Sequence, residues 1–192
     1  MLGGSYALQQ ISSRRAVAIG PIAQTARASY DAATWQVFGE AAWRFDLGRV
    51  GIEPFAAMAH AWVRTDAFNE SGSAADLHAD EQTRGITFST LGVRGDLPFG
   101  TGAGTAALGR LRLSAGWRHA FGADTPDAQL AFVDSAAGFT VGGVPIARDA
   151  AIVEAGIDAF VGQAVTLGVS YTGQFGSQVT DNAVFGNLNW RF

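Results

Sequence analysis

The chain has 192 residues, five tryptophans, no cysteine, and a formal net charge of −4. That length suits one domain, and the missing cysteines exclude disulfide frameworks and thiolate metal sites. The negative balance gives no basis for a nucleic-acid partner, and charged residues at 16% with 25 glycines suit an all-β membrane protein better than a soluble globule.

Side chains on a strand alternate between two faces, so period-two patterning is the signal to follow. Leu2 to Ile11 is a short strand candidate, and Ser12 to Ser29 reads as a linker. Tyr30 to Asp46 is a cleaner strand: Trp35, Val37, Gly39, Ala41, Trp43 and Phe45 form one row, and Gln36, Phe38, Glu40, Ala42 and Arg44 the other. A tight turn at 46–49 leads to Val50–Arg64, where Ile52, Pro54, Ala56, Met58 and Trp62 share a row opposite Glu53. Pro54 cannot donate to a ladder and is expected near a strand end or a bulge.

Thr65 to Arg84 reads as a long polar loop with five acidic residues. Gly85 to Leu97 is the next strand, with Ser89, Leu91 and Val93 on one face and Thr90 and Arg94 on the other. After the glycine-rich link Pro98–Leu108, Gly109–Phe121 sets Leu111, Leu113, Ala115 and Trp117 against Arg110, Arg112, Ser114 and Arg118. Gly122 to Arg148 is a second long connection, with room for short extended pieces. Asp149–Val161 sets Ala151, Val153, Ala155, Ile157 and Ala159 against Glu154, Gly156 and Asp158. A turn at Gly162-Gln163 leads to Ala164–Phe175, and the chain closes on Asn182–Phe192, whose apolar row ends in Trp190 and Phe192. A strand that runs to the last residue is expected to be paired on both sides.

The result is eight strands in an antiparallel transmembrane β-barrel, apolar rows toward lipid and polar rows toward a wet lumen. Connections alternate long and short, as outside loops and periplasmic turns do in the outer membrane. Glu40, Arg44, Glu53, Arg94, Arg110, Arg112, Arg118, Glu154, Asp158 and Arg191 then line one interior as a charge network. On the lipid face an Arg at mid-depth costs about 2–4 kcal/mol. The charge-free run Ala159–Thr180 is long enough for a membrane helix, but it carries Gln, Thr, Ser and Gly throughout and alternates at period two. Met1 leads into LGGSYALQQISSRR, which has neither a basic start nor an apolar core. A barrel without an export signal is expected to be the C-terminal piece of something longer.

Catalytic patterns are sparse. His60 and His119 fall on apolar rows without partners at ligand spacing and read as packed or interfacial side chains. His78 lies among acidic residues, where a weak cation site with Asp76 and Asp80 competes with a solvated loop. Glu40, Glu53, Glu154 and Asp158 offer a carboxylate dyad, but the interior arginines are numerous enough to pair them all. There is no G-x-S-x-G elbow. Arg94-Gly95-Asp96 spells an adhesion tripeptide at the end of a strand on the periplasmic side, out of a receptor's reach. No cofactor is expected.

The segments GGSYA, SYDAATWQVFGEAAWRF, IEPFAAMAHAWV, TFSTLGVRG, LSAGWRHAFG, GFTVGGVPIARDAAIVEAGIDAF, VSYTGQFG and NWRF occur in an order and spread that resembles the C-terminal translocator barrel of autotransporters, the type V secretion systems. The resemblance covers essentially the whole chain. It implies a Gram-negative outer membrane, a non-enzymatic role, and a twelve-stranded barrel with a helix through its pore, of which residues 1–192 are one partial domain holding the last eight strands. The earlier strands, the pore helix and the secreted passenger have no counterpart here. The resemblance also implies that the barrel-assembly machinery reads the terminal strand through Trp190 and Phe192, while Asn187 departs from the family's more usual Gly. An open sheet edge is not viable in lipid, so eight strands alone must close on themselves as a self-contained structural or binding barrel, pair with another chain, or fail to fold.

Overall fold

A computed structural model describes residues 1–100, 107–122, 125–135, 137–161, 164–177 and 179–191. Among them every element is a strand: β1 (Leu2–Ile19), β2 (Ile22–Ala42), β3 (Phe45–Leu47), β4 (Val50–Thr65), β5 (Phe68–Asn69), β6 (Leu77–Ala79), β7 (Gln82–Phe99), β8 (Gly109–Phe121), β9 (Asp127–Phe132), β10 (Gly138–Gly142), β11 (Asp149–Val161), β12 (Val165–Gly176) and β13 (Thr180–Trp190). The eight long strands form one antiparallel sheet in the order β1-β2-β4-β7-β8-β11-β12-β13. These are the eight that alternation predicts.

The register carries each apolar row across the sheet. Leu91, Trp117, Ala151 and Phe175 stand in one outward line, and Leu97, Leu111, Ile157, Val169 and Gly186 in another. The large side chains of the apolar rows are exposed rather than packed, with Trp43 at 72% and Trp190 at 67%. A surface so apolar is the mark of a lipid-facing wall. The concave side carries the polar rows. There side chains reach across an intervening strand, as Arg94 of β7 does to Glu40 of β2.

The segment Ser12–Ser29 is not a linker. β1 and β2 run straight through it as a ladder from Leu2 opposite Gly39 to Ile19 opposite Ile22. The turn is the two residues Gly20-Pro21, with Gly20 at φ +57°, as two-residue hairpin turns require of their first residue. Alternation is weak here because this part of the hairpin lies beyond the apolar band, and Ala, Ser, Thr and Arg fill both faces.

The two long connections are not bare loops either. Between β4 and β7 lie β5 and β6, and between β8 and β11 lie β9 and β10. They assemble into a second sheet in the order β10-β9-β6-β5. This small sheet packs against the inward face of the long hairpin. Tyr30 stacks on Phe68 with ring centroids 4.4 Å apart, Gln24 Oε1 accepts the Ala74 N–H at 2.8 Å, and Val17, Ala26 and Ala28 are buried. Glu70 is buried beneath it and accepts an ion-paired hydrogen bond from Arg15 and the Leu77 N–H at 3.0 Å.

Pro54 sits inside β4, opposite the short break between β2 and β3. The Trp43 N–H donates to the Pro54 carbonyl at 3.1 Å. Proline has no N–H to return that bond, which accounts for the interruption at 43–44. The tight turn expected within 46–49 is made by the two residues Gly48-Arg49, with Gly48 at φ +67°.

The terminal strand departs from expectation. β13 pairs with β12 on one side only, and among the described residues neither its other edge nor the outer edge of β1 has a strand partner. The sheet curls but does not close. The predicted turn residues Gly162 and Gln163, and Phe192, lie outside the described residues.

Candidate functional site: the charged inner wall

Glu40, Glu53 and Arg94 come from β2, β4 and β7 and meet on the concave face because each belongs to the row opposite its strand's apolar row. Arg94 is the hub. Its Nε donates to Glu53 Oε1 at 2.5 Å, and its two Nη atoms reach Glu40 at 2.5 and 3.3 Å. The guanidinium also lies 5.0 Å from the centroid of the Phe55 ring. Arginine suits this place because its planar fork serves two carboxylates while stacking on a ring.

A second cluster adjoins it. Arg44 Nη1 donates to Asp96 at 2.7 Å and its Nε to Asp46 at 2.9 Å, while Arg110 stands 3.9 Å from Asp96. Further round, Arg112 grips Asp158 through Nε and Nη2, both at 3.0 Å. Arg118 has no carboxylate among the described residues. It donates to Gln174 at 3.1 Å and lies 5.6 Å from the Phe88 ring. Together these strands wall a hollow of about 320 Å³ lined by Arg44, Glu53, Arg94, Asp96, Arg112 and Glu154, among others.

Not every expected member joins. Glu154 faces the hollow between Ser114 and Thr172, and among the described residues it has no ion-pair or hydrogen-bond partner. Arg191 lies past the end of β13, where its backbone N–H donates to the Ala164 carbonyl at 2.8 Å and its side chain holds no ion pair among the described residues. Asp96 is the member that the sequence reading passed over. It lies two residues from Arg94 and so on the same face, a signal that the tripeptide Arg94-Gly95-Asp96 obscured. Both charged residues of that tripeptide are engaged on the inner wall.

Asn187 also belongs to the inner wall, opposite Gly168. A Cβ at Gly168 would stand 2.7 Å from the Asn187 amide and 2.5 Å from Asp158 Oδ1. Glycine on β12 thus makes room for the larger residue on β13.

The histidines take separate places. His60 Nδ1 lies 2.6 Å from Thr87 Oγ1 beside Trp62, with Nε2 buried and unpartnered. His119 and Trp117 both meet Asp149, at 2.8 and 3.0 Å. His78 contacts Asn69 and Asp80, whereas Asp76 accepts from Ser73, so the suggested trio is not assembled. Among the described residues no group of three or more His, Asp or Glu is placed to hold a metal ion. What the inner wall offers is fixed charge, most of it paired.

A sequence model of the family described as "Autotransporter beta-domain" matches residues 1–172. Two relatives from Serratia marcescens, each described as "Extracellular serine protease", are 39% identical over 191 residues and 37% identical over 190. Each match covers 99% of this chain but 18% of the relative. Among solved structures, the translocator domain of the autotransporter NalP from Neisseria meningitidis superposes with a TM-score of 0.69 at 15% identity, over 100% of this chain and 60% of that one.

Proposed function

Because the chain belongs to the autotransporter β-domain family, whose members form outer-membrane barrels, we propose that it supplies eight consecutive strands of a translocator through which a passenger segment of the full-length protein reaches the cell surface. The observation that carries this reading is a sheet of eight long strands, apolar outside and charged inside, with both edges unpaired among the described residues. Unpaired edges are not tolerated in hydrocarbon, so further strands belong between β13 and β1. A self-contained eight-stranded barrel needs β1 paired with β13, a pairing not found among the described residues.

In this reading the ion pairs of Arg94, Arg44 and Arg112 form a lumen charge network that braces β2, β4, β7, β8 and β11 against one another. In this reading the module is not an enzyme: Glu40, Glu53 and Asp158 are tied to arginines, and the chain matches 18% of the relatives named for a protease activity. The apolar terminal strand, with Trp190 and Phe192, is the mark that the barrel-assembly machinery reads.

The test is surface display. With residues 1–192 deleted from the gene product, the passenger is made but stays inaccessible to protease added to intact cells. Unchanged surface exposure overturns the proposal.

A further inference from the structure

Above the apolar band, arginines find carboxylates. Arg15 pairs with Glu70, Arg64 with Glu81 at 2.7 Å, and Arg84 with Asp127 at 2.5 Å. Arg14 and Arg27 do not. They stand directly opposite each other across the β1–β2 ladder. Both are exposed, and among the described residues neither has an ion-pair or hydrogen-bond partner for its side chain. Like charges facing each other across a ladder destabilise it. An external anion would relieve that.

The pair faces outward. On β1, Arg14 shares the face of Tyr6 and Leu8; on β2, Arg27 shares that of Trp35. The opposite face is the one that Arg15, Ala26 and Ala28 turn to the small sheet. At the other edge of β2, Ser71 bridges to Arg27 through two backbone hydrogen bonds of 3.0 and 2.9 Å, and it too is exposed. Arg14, Arg27 and Ser71 thus form one row, roughly 10 Å long at the usual strand spacing. It offers two guanidinium forks and a hydroxyl. Guanidinium forks match phosphate and carboxylate oxygens. Along β2 on this face, the nearest carboxylate, Asp31, is four residues from Arg27, roughly 13 Å away.

Height identifies the anion. Tyr6, Trp35 and Trp62 form a girdle, with centroids 6.5 and 6.4 Å apart between neighbours, and such girdles mark the membrane interface. Arg14 is eight residues further along β1 than Tyr6. That is about 27 Å of strand and roughly 20 Å of height at the tilt of barrel strands. A phospholipid phosphate lies at the level of the girdle itself. The anions that rise this far beside an outer-membrane barrel are the phosphates and carboxylates of the saccharide core of lipopolysaccharide. We propose that the outward row of Arg14, Arg27 and Ser71 binds that core. The proposal rests on the outer-membrane reading of the family, whose own test, surface display, is read independently of lipid binding.

The protein is extracted from outer membranes of cells that make it in its own gene context, and three lipids are titrated onto it. These are lipopolysaccharide with a phosphorylated inner core, the same lipid trimmed to its acylated disaccharide, and phosphatidylglycerol. The expected result is that Arg14→Gln with Arg27→Gln weakens binding of the core-bearing lipid about tenfold, while the paired Arg→Lys variant, which keeps the charges but not the forks, loses less than that. The other two lipids bind wild type and variant alike. Unshifted gel migration of the unheated protein verifies that the variant is assembled; should the double variant not assemble, Arg27→Gln alone carries the test, with a loss of about threefold. The proposal is overturned if the core-bearing lipid binds wild type and variant equally, if it does not bind wild type at all, or if the variant loses the trimmed lipid or phosphatidylglycerol to the same degree.

Discussion

The ring of Phe55 covers Gly92. A Cβ built on Gly92 would stand 2.6 Å from that ring and 2.7 Å from the Ala115 carbonyl oxygen. The ring could tilt, but the carbonyl belongs to the β7–β8 ladder and cannot retreat. Gly92→Ala is therefore expected to destabilise the folded sheet by about 1–3 kcal/mol. The temperature at which the unheated band on a detergent gel converts to the unfolded one would fall, while Gly186→Ala, where nothing lies within 4 Å, leaves it unchanged.

Arg94 holds two carboxylates with one guanidinium. Arg94→Gln leaves Glu40 and Glu53 close together without their counter-charge, at an expected cost of about 2–4 kcal/mol. Changing Glu40 and Glu53 to Gln as well should recover much of the loss, because the repulsion goes with them. Thermal conversion of the three forms measures it. Equal stability of Arg94→Gln and wild type would sink the hub role.

Glu70 gives the small sheet a pH response. The hydrogen bond from Arg15 holds its carboxyl below the ordinary glutamate range, and burial opposes this less strongly. A depressed folded value means that the contribution is present at neutral pH. It is lost as pH falls below about 4.3 and on through the folded value. The Leu77 amide, which donates to Glu70 Oε2 at 3.0 Å, reports on this. Its hydrogen-exchange protection should decline in that acid window and not between pH 6 and 8. Glu70→Ala should lower protection at neutral pH by about 1–2 kcal/mol in opening free energy and remove the acid response.

Trp190 stands opposite Val165 with two thirds of its surface exposed, and its side chain makes none of the ladder's hydrogen bonds. Trp190→Ala is expected to cut the amount of protein reaching the outer membrane several-fold, with little change in the heat stability of what does assemble. A fall in stability matched to the fall in yield would mean that the residue packs rather than signals.

How much was legible in the sequence depended on contrast between faces. β8 and β11 begin and end where alternation of large apolar and charged residues puts them, because lipid lies on one side of each and water on the other. The outer half of the β1–β2 hairpin gave no such contrast. Small and polar residues with Arg14 and Arg27 form its outward face, and alanines packed under the small sheet form its inward face, so Ser12–Ser29 resembled a linker. β5, β6, β9 and β10 were illegible as a sheet for a different reason. Each is two to six residues long, and their pairing joins connections far apart in sequence. The inner charges followed from parity alone, but parity could not say which arginine takes which carboxylate. Arg94 choosing Glu40 across β4, and Asp96 joining Arg44, depend on the curl of the sheet.

The hairpin's height has a practical side. Its Gly20-Pro21 turn closes the longest ladder among the described residues, and nothing lies within 4 Å of where a Gly20 side chain would begin. An antibody added to living cells would meet this tip well before the lipid-embedded wall. A short epitope spliced between Gly20 and Pro21 would therefore show, cell by cell, which copies stand the right way up.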